Sequence, residues 1–521
     1  MLLRDYLAAQ ARTWPERTAY VVGASRHTWG ETMNRVGRLS TALAALGVRQ
    51  GDVVATLGRD GHTTVEVWFS TATTGAIRTG INWRYSAREV EHILRDARVS
   101  ALVVEGGAPE DLLSKVDLTT LPNLRWIIGH GEHAQDLDYE KLLSEHAPLV
   151  PESWPDIAED EPIAIHYTTG STGFPKGVVW SQRSVVVAQL NTWLQSGARN
   201  DEVYLHALPA AGVPILLATW NVFVGGTIVL MPQFSAGEAL RLIEAERVTA
   251  ALLVPTMMLD VLDNPDFGGT DISSLRKVTY GSAPASPALV RRAIDEFGCE
   301  LQQWYGSTEG VGGWFAMLQD SDHRWALEND HGLLQSCGRP TLHTELRILD
   351  EQGGILPPGE VGEIAVRSEA VMTEYLGMPA ETSEALPGGG WLKTGDVGRL
   401  DERGYLYLVD RKKFLIITGA YNVYPVVVEN VLAEHPAVRE VSVVGAPDDR
   451  WGEVVVAVVV AHREVEEDEL KNFCRDRLAT FEVPKRIVFV DQLPRGATGK
   501  LLKREIRDWF REPVETPVEV S

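Results

Sequence analysis

The sequence predicts an α/β protein. It has a large N-terminal domain of α/β sheet layers plus a small β-rich subdomain, followed by a small α+β C-terminal domain. Three observations lead there. A chain of 521 residues is too long to fold around one core. Short β-forming runs alternate with helix-spaced segments over the first 300 residues, which marks a mostly parallel sheet. After Asp410-Arg411-Lys412-Lys413 the pattern tightens into a compact α+β unit. The boundary is therefore set between Asp410 and Arg411, giving domains 1–410 and 411–521. One continuous fold with a charged turn there is the alternative.

The elements follow in order. Leu3, Leu7 and Gln10 share one side of a short amphipathic helix, which lacks the long apolar region of a secretory signal. Strands are expected at 53–57, 76–81 and 101–104, with helices at 63–74 and 86–96 between them. Ser86 and Glu89 form a capping box for the second helix. Strands at 227–231, 250–254, 277–280 and 301–305 alternate with helices at 236–246 and 287–297. Each strand end runs into a small-residue turn, where open α/β sheets bind ligands. Residues 338–408 are rich in Gly, Pro and short β runs at 345–349, 363–367 and 405–409. The last unit reads helix 425–434, strands 438–445 and 453–461, helix 467–479 and strand 486–490.

Composition excludes several classes. The net charge of −23 argues against a nucleic-acid binder, which needs a basic face. The longest apolar run, 454–461, is too short to span a membrane and reads as a buried strand. Cys299, Cys337 and Cys474 are scattered with no C-x-x-C pair, so neither a zinc site nor a disulfide framework is supported. A reducing cytoplasm is the expected compartment.

One stretch organises the chain: Tyr167 to Gly177, YTTGSTGFPKG. It holds three glycines, four Ser/Thr hydroxyls and Lys176, flanked by β-formers on both sides. Glycines let backbone N–H groups approach a polyanion, hydroxyls add donors and the lysine adds charge, so the loop reads as a phosphate cradle. A polar surface turn is the plain structural alternative. It is no Walker A loop: Gly177, not Ser or Thr, follows Lys176.

Further motifs follow. In Tyr305-Gly306-Ser307-Thr308-Glu309, Thr308 suits a phosphate and Glu309 suits Mg²⁺, although a helix N-cap would look the same. Asp396 follows what reads as a tight turn in Gly390-Trp391-Leu392-Lys393-Thr394-Gly395, where a carboxylate would accept both ribose hydroxyls; an Asx turn is the alternative. Arg411 and Lys413 lie in a charge run that is otherwise a solvated face. Pro494-Arg495-Gly496-Ala497-Thr498-Gly499-Lys500 is a second glycine loop with a lysine, suited to delivering one cation to a negative centre, or else an exposed loop with an incidental lysine.

In this order the motifs YTTGSTGFPKG, YGSTE, GWLKTGD, DRKKFLIITGAYNVYP and PRGATGK resemble the adenylate-forming superfamily of acyl-CoA synthetases, adenylation domains and luciferases. The chain looks most like a fatty-acid or aryl-acid CoA ligase. The resemblance implies a site between a large domain and a mobile small one. It implies two steps: Mg·ATP and a carboxylic acid give an acyl-adenylate and pyrophosphate, then CoA takes the acyl group and AMP leaves. By resemblance, Thr168, Thr169, Gly170, Ser171, Thr172, Gly173 and Lys176 hold the β- and γ-phosphates. Gly281, Ser282, Ala283, Pro284, Trp304 and Tyr305 flank the adenine, with Gly306 and Ser307 beside them. Thr308 contacts the α-phosphate, Glu309 the Mg²⁺, and Asp396 the ribose with Arg411 near it. Lys500 bridges carboxylate and phosphate. Lys413 is the hinge, and rotation about it brings Gly419 and Ala420 to the site for the second step.

Two departures shape the expectation. After the hinge the family commonly reads Lys-Asp-x-Ile-x-x-Gly-Gly-Glu-Asn; here Phe414, Ala420 and Tyr421 replace the acid, the second glycine and the glutamate. A methyl at Ala420 removes room beside the thiol's path. Adenylation alone, with a separate thiolating enzyme or carrier protein finishing the transfer, is therefore the alternative to CoA ligation. The second departure concerns Ala210, Ala211, Gly212 and Val213, where many relatives carry an aromatic residue and a histidine. Val311 and Gly312 are small too. Small apolar walls favour a bulky hydrophobic acid: a medium or long fatty acid, an aryl acid or a polycyclic terpenoid acid. Glu309, Asp396, Arg411 and Lys500 together argue against a non-catalytic relative, and a monomer or homodimer is expected.

Overall fold

The computed structural model describes residues 1–168, 175–283, 285–411, 414–418, 421–448, 451–475, 477–496 and 501–510, with the side chains of 410, 411, 421 and 422 excepted. Two large sheets dominate. The eight-stranded sheet runs in the order Glu374–Tyr375, Lys176–Ser181, Pro162–Thr168, Ile77–Asn82, Val53–Gly58, Val99–Glu105, Trp126–His130 and Leu137–Asp138. Its six strands from Pro162–Thr168 to Leu137–Asp138 are parallel, and Lys176–Ser181 turns back antiparallel on Pro162–Thr168. The nine-stranded sheet runs Arg339–Pro340, Trp314–Leu318, Glu300–Gly306, Lys277–Gly281, Ala250–Leu253, Val203–His206, Thr227–Leu230, Thr18–Val22 and Ser25–Thr28. Parallel strands are covered on both faces, which is why runs such as Val53–Leu57 and Ala250–Leu253 are continuously buried rather than alternating.

One core cluster joins these sheets. It takes Leu3 and Leu7 from the first helix, Trp68, Trp180, Tyr204 and Trp304 from the sheet layers, and Ile364, Leu392 and Leu406 from the β-rich subdomain. Gln10, expected on the same helical side, donates to the Val222 carbonyl at 2.8 Å. The subdomain is an antiparallel sheet of Glu345–Leu349, Gly362–Arg367, Trp391–Leu400 and Leu406–Arg411.

The C-terminal unit has its own sheet, built on the long hairpin Val438–Asp448 and Gly452–Ala461. Along the second strand, period-2 alternation splits the valines between two cores. Val455, Ala457 and Val459 face one; Val454, Val456, Val458 and Val460 face the other. The run expected to be a buried strand is thus buried on both faces. The capping box also forms: Glu89 N–H donates to Ser86 Oγ at 3.3 Å, and Ser86 N–H to Glu89 Oε2 at 2.8 Å. Cys299, Cys337 and Cys474 are free and buried. No helix among the described residues is long and apolar enough to cross a membrane.

Candidate active site

The glycine-rich stretch begins and ends on paired strands, with Thr168 opposite Lys176. Thr169, Gly170, Ser171, Thr172 and Gly173 lie outside the described residues. Both stems are held by one helix, Ala87–Asp96. Asp96 Oδ2 accepts from the Tyr167 hydroxyl at 2.7 Å, and His92 Nε2 donates to the Pro175 carbonyl at 3.0 Å. Residues four apart share a helix face, so one face grips both ends of the loop.

The Lys176 ammonium sits 5.5 Å from the centroid of the Tyr375 ring, a cation–π contact. The same tyrosine donates its hydroxyl to Glu309 Oε1 at 2.9 Å. Glu309 is half-buried in the turn after strand Glu300–Gly306. Its carbonyl accepts from Met372 N–H at 2.7 Å, and the Thr308 carbonyl accepts from the Trp180 indole at 2.9 Å. No helix follows: the chain turns through Val311 and Gly312 at φ of 57° and 59° into strand Trp314–Leu318. The N-cap alternative for Thr308 and Glu309 is therefore excluded. A β-branched residue in the left-handed region costs on the order of 1 kcal/mol, and such residues cluster at functional sites. Among the described residues no group of three or more His, Cys, Asp or Glu could hold a metal. A single half-buried carboxylate still fits Mg²⁺, which is usually held by one or two carboxylates plus substrate phosphates.

Asp396 does not follow a tight turn. It lies inside the ten-residue strand Trp391–Leu400, on a bulge. Lys393 pairs with Ala365 and Val397 with Glu363, so four positions on one strand oppose two on the other. Gly395, at φ of 71°, supplies the conformation the bulge needs. The bulge turns Asp396 inward, where its Oδ2 accepts from the Tyr305 hydroxyl at 2.7 Å. Burial, and then the Asp396 charge, drives the Tyr305 hydroxyl well above its ordinary pKa. The turn-type bond in this stretch comes from Thr394, whose Oγ1 accepts from Asp396 N–H at 3.1 Å. Asp396 and Arg411 are direct cross-strand partners.

Gly281 and Trp304 are register partners, and a Cβ on Gly281 would lie 2.4 Å from the Trp304 carbonyl oxygen. Ser282, at φ of 65°, and Ala283 are exposed beyond the strand end, with Gly306 exposed and Ser307 half-buried nearby. Trp304 and Tyr305 do not line one ligand face together. Consecutive strand residues face opposite sides, and Trp304 packs edge-on against Trp314 with centroids 3.9 Å apart. Tyr305 is the ring on the Asp396 side.

The two small-residue stretches do meet. A Cβ on Gly312 would lie 2.4 Å from Val213 Cγ1. The absence of a side chain at Gly312 therefore makes room for Val213 rather than leaving open volume. Ala210 is wholly buried, while Ala211 and Gly212 are half-buried. Pro284, Lys413, Gly419, Ala420, Lys500 and the Arg411 side chain lie outside the described residues.

Residues 7–376 match the family described as AMP-binding enzyme, and residues 427–500 match the AMP-binding enzyme C-terminal domain. The chain belongs to the AMP-binding enzyme family. Within this family it is 36% identical over 492 residues to the fatty acid–[acyl-carrier-protein] ligase ScoC of Streptomyces coeruleorubidus, covering 93% of this chain and 91% of that one. It is 36% identical to a feruloyl-CoA synthase of Amycolatopsis sp., over 98% of this chain and 99% of that one. The solved amide bond synthetase McbA from Marinactinospora thermotolerans superposes with a TM-score of 0.87 at 32% identity, over 98% of this chain and 100% of that one. The α/β architecture, with a large N-terminal domain and a small C-terminal one, is thus that of an adenylate-forming enzyme.

Sequence reasoning missed four members of the site: Tyr375, Trp180, His92 and Asp96. The i,i+4 spacing of His92 and Asp96 was visible, but not the strands they hold. Nothing in the spacing around Tyr375 marks it.

Proposed function

We propose that this AMP-binding enzyme activates a bulky hydrophobic carboxylic acid with ATP and transfers the acyl group to CoA. In the first step a carboxylate oxygen bonds to the α-phosphorus, the bond to the β-phosphate oxygen breaks, and pyrophosphate leaves. In the second the thiol sulfur bonds to the acyl carbon, its proton is lost, and AMP leaves. The observation that carries the reading is the chain of contacts Lys176–Tyr375–Glu309, continued on the same strand end by Tyr305–Asp396. It brings a cation, a half-buried carboxylate and a buried carboxylate to the strand ends where α/β folds bind nucleotides.

In this reading the 168–176 loop cradles the β- and γ-phosphates and Lys176 adds charge to it. Tyr375 keeps Glu309 oriented, and Glu309 would hold Mg²⁺, which supplies charge neutralisation on the phosphates. Thr308 faces the α-phosphate. Asp396, fixed by Tyr305, offers two acceptors to the ribose hydroxyls, with Arg411 as its strand partner. Lys500 neutralises charge as the acyl–phosphate bond forms. The domains divide between Asp410 and Arg411, and rotation about Lys413 exchanges Lys500 for the Gly419–Ala420 stretch. The reaction belongs in the cytoplasm, where ATP and CoA are supplied.

A second reading is adenylation with delivery to a carrier protein or another acceptor. The carrier-protein ligase and amide bond synthetase relatives favour it, as does Ala420 in place of a glycine. Pyrophosphate release over fatty, aryl and terpenoid acids, with and without CoA, separates the two. Acyl-CoA supports the first; acyl-AMP alone in the presence of CoA supports the second; no acid-dependent pyrophosphate contradicts both.

A further inference from the structure

Ala210 is held at both its N–H and its carbonyl by two oppositely charged side chains from the other large sheet. Asp60, just past strand Val53–Gly58, accepts from Ala210 N–H with both carboxylate oxygens, each at 3.0 Å. Arg78, on strand Ile77–Asn82, donates from Nη2 to the Ala210 carbonyl at 2.8 Å. Its only other hydrogen bond among the described residues, to Thr56 Oγ1, is longer at 3.4 Å. Nε and Nη1 of Arg78 have no hydrogen-bond partner among the described residues, so Ala210 is what this guanidinium chiefly holds. Arg78 is 0% exposed and Asp60 8%. Next to this grip the loop lies directly on the strand: a Cβ on Gly80 would sit 2.2 Å from the Ala211 carbonyl oxygen.

Buried charges are a poor way to glue two sheets, because their desolvation is costly and well-packed apolar residues do as well or better. Burial pushes the Asp60 carboxyl up to about 7 and pulls Arg78 down to about 10, which is that cost made visible. The pair does what apolar side chains cannot: it fixes both the donor and the acceptor of Ala210. Three residues on, Val213 packs against Gly312, so the position of residue 210 is passed along the wall formed by both small-residue stretches.

We infer that Asp60 and Arg78 are positioning residues that hold the 210–213 wall of the acid-binding site and thereby set which acids are accepted. This rests on the acid-activating reading given above. The pair touches no reacting atom and acts through the loop.

The test uses full-length wild type, Asp60→Asn, Arg78→Met and Arg78→Lys, with acid-dependent pyrophosphate release measured for octanoate, palmitate and a cinnamic acid. In Asp60→Asn and Arg78→Met the KM for the preferred acid is expected to rise about tenfold and the preference between acids to shift by a similar factor, while the KM for ATP stays within about twofold. Arg78→Lys, which keeps a donor, is expected to recover part of the loss. Thermal unfolding establishes that each variant is folded; should Arg78→Met not fold, Asp60→Asn and Arg78→Lys carry the comparison. Acid and ATP constants moving together, or an unchanged order of acids in folded variants, overturns the inference. Wild type that releases pyrophosphate with no acid at all overturns the acid-activating reading itself, and the inference with it.

Discussion

The Tyr305 hydroxyl donates to Asp396 Oδ2 at 2.7 Å across 91 residues of chain, and both residues are buried. This bond ties the end of an interior strand of the nine-stranded sheet to the bulge of the β-rich subdomain. Tyr305→Phe keeps the ring but leaves a buried carboxylate short of a charge-assisted bond. The expected cost is about 2 kcal/mol in unfolding free energy, with a raised KM for ATP. Denaturant unfolding and ATP titration check the two halves of that statement.

Tyr375 serves Lys176 and Glu309 at once. Tyr375→Phe preserves the ring beneath the ammonium and removes the bond to Glu309. The Mg²⁺ concentration for half-maximal activity is expected to rise about tenfold, a typical effect of losing a partner that orients a ligating carboxylate. Glu309→Gln, which removes the charge, is expected to lower kcat by about a hundredfold or more. Metal titrations of both variants check this.

The helix Ala87–Asp96 holds both stems of the glycine-rich loop through Asp96 and His92. Asp96→Ala frees Tyr167 and is expected to raise the KM for ATP about tenfold while leaving the KM for the acid unchanged, since misplaced positioning groups cost rate at a distance. Equal changes in both constants would contradict this.

Far from this site, Glu66 is 1% exposed and accepts from Arg35 at 2.6 Å and from the Tyr139 hydroxyl at 2.7 Å. Burial alone would raise its carboxyl; bonds from His27, Arg35 and Tyr139 outweigh that and hold it at about 2, below its ordinary value of 4.5. A depressed folded-state pKa gives stability that is present above the unfolded value and lost as pH falls toward the folded one. Wild type is expected to lose about 3 kcal/mol between pH 4.5 and pH 2 from this group. Glu66→Gln is expected to be less stable at pH 7 and flat through that window. Denaturant midpoints against pH check it.

Local signals were legible in the sequence. The Ser86–Glu89 box, the helix Pro287–Phe297 and the valine strand all depend on neighbours within a few residues, and they form where the pattern placed them. The stems of the glycine loop were legible for the same reason. What stayed hidden depends on pairing between distant strands. Asp396 read as the end of a turn because Gly395 marks a turn and a bulge alike; only the register with Ala365 and Glu363 separates them. Tyr375 acquires its role by pairing its strand with Val178 nearly 200 positions earlier. Arg78 gave no signal, because a buried arginine is rare and nothing nearby in sequence announces Asp60 or Ala210 as its partners. The open volume read from Gly312 failed because Val213, a hundred residues away, fills it.

The most direct test of acid activation is mass detection of the nucleotide and acyl products when the full-length protein is given ATP, Mg²⁺, CoA and a panel of hydrophobic acids. Acid-dependent AMP and pyrophosphate with an acyl-AMP or acyl-CoA product is the predicted result. ATP cleaved to ADP, or AMP released without any acyl product, would contradict it.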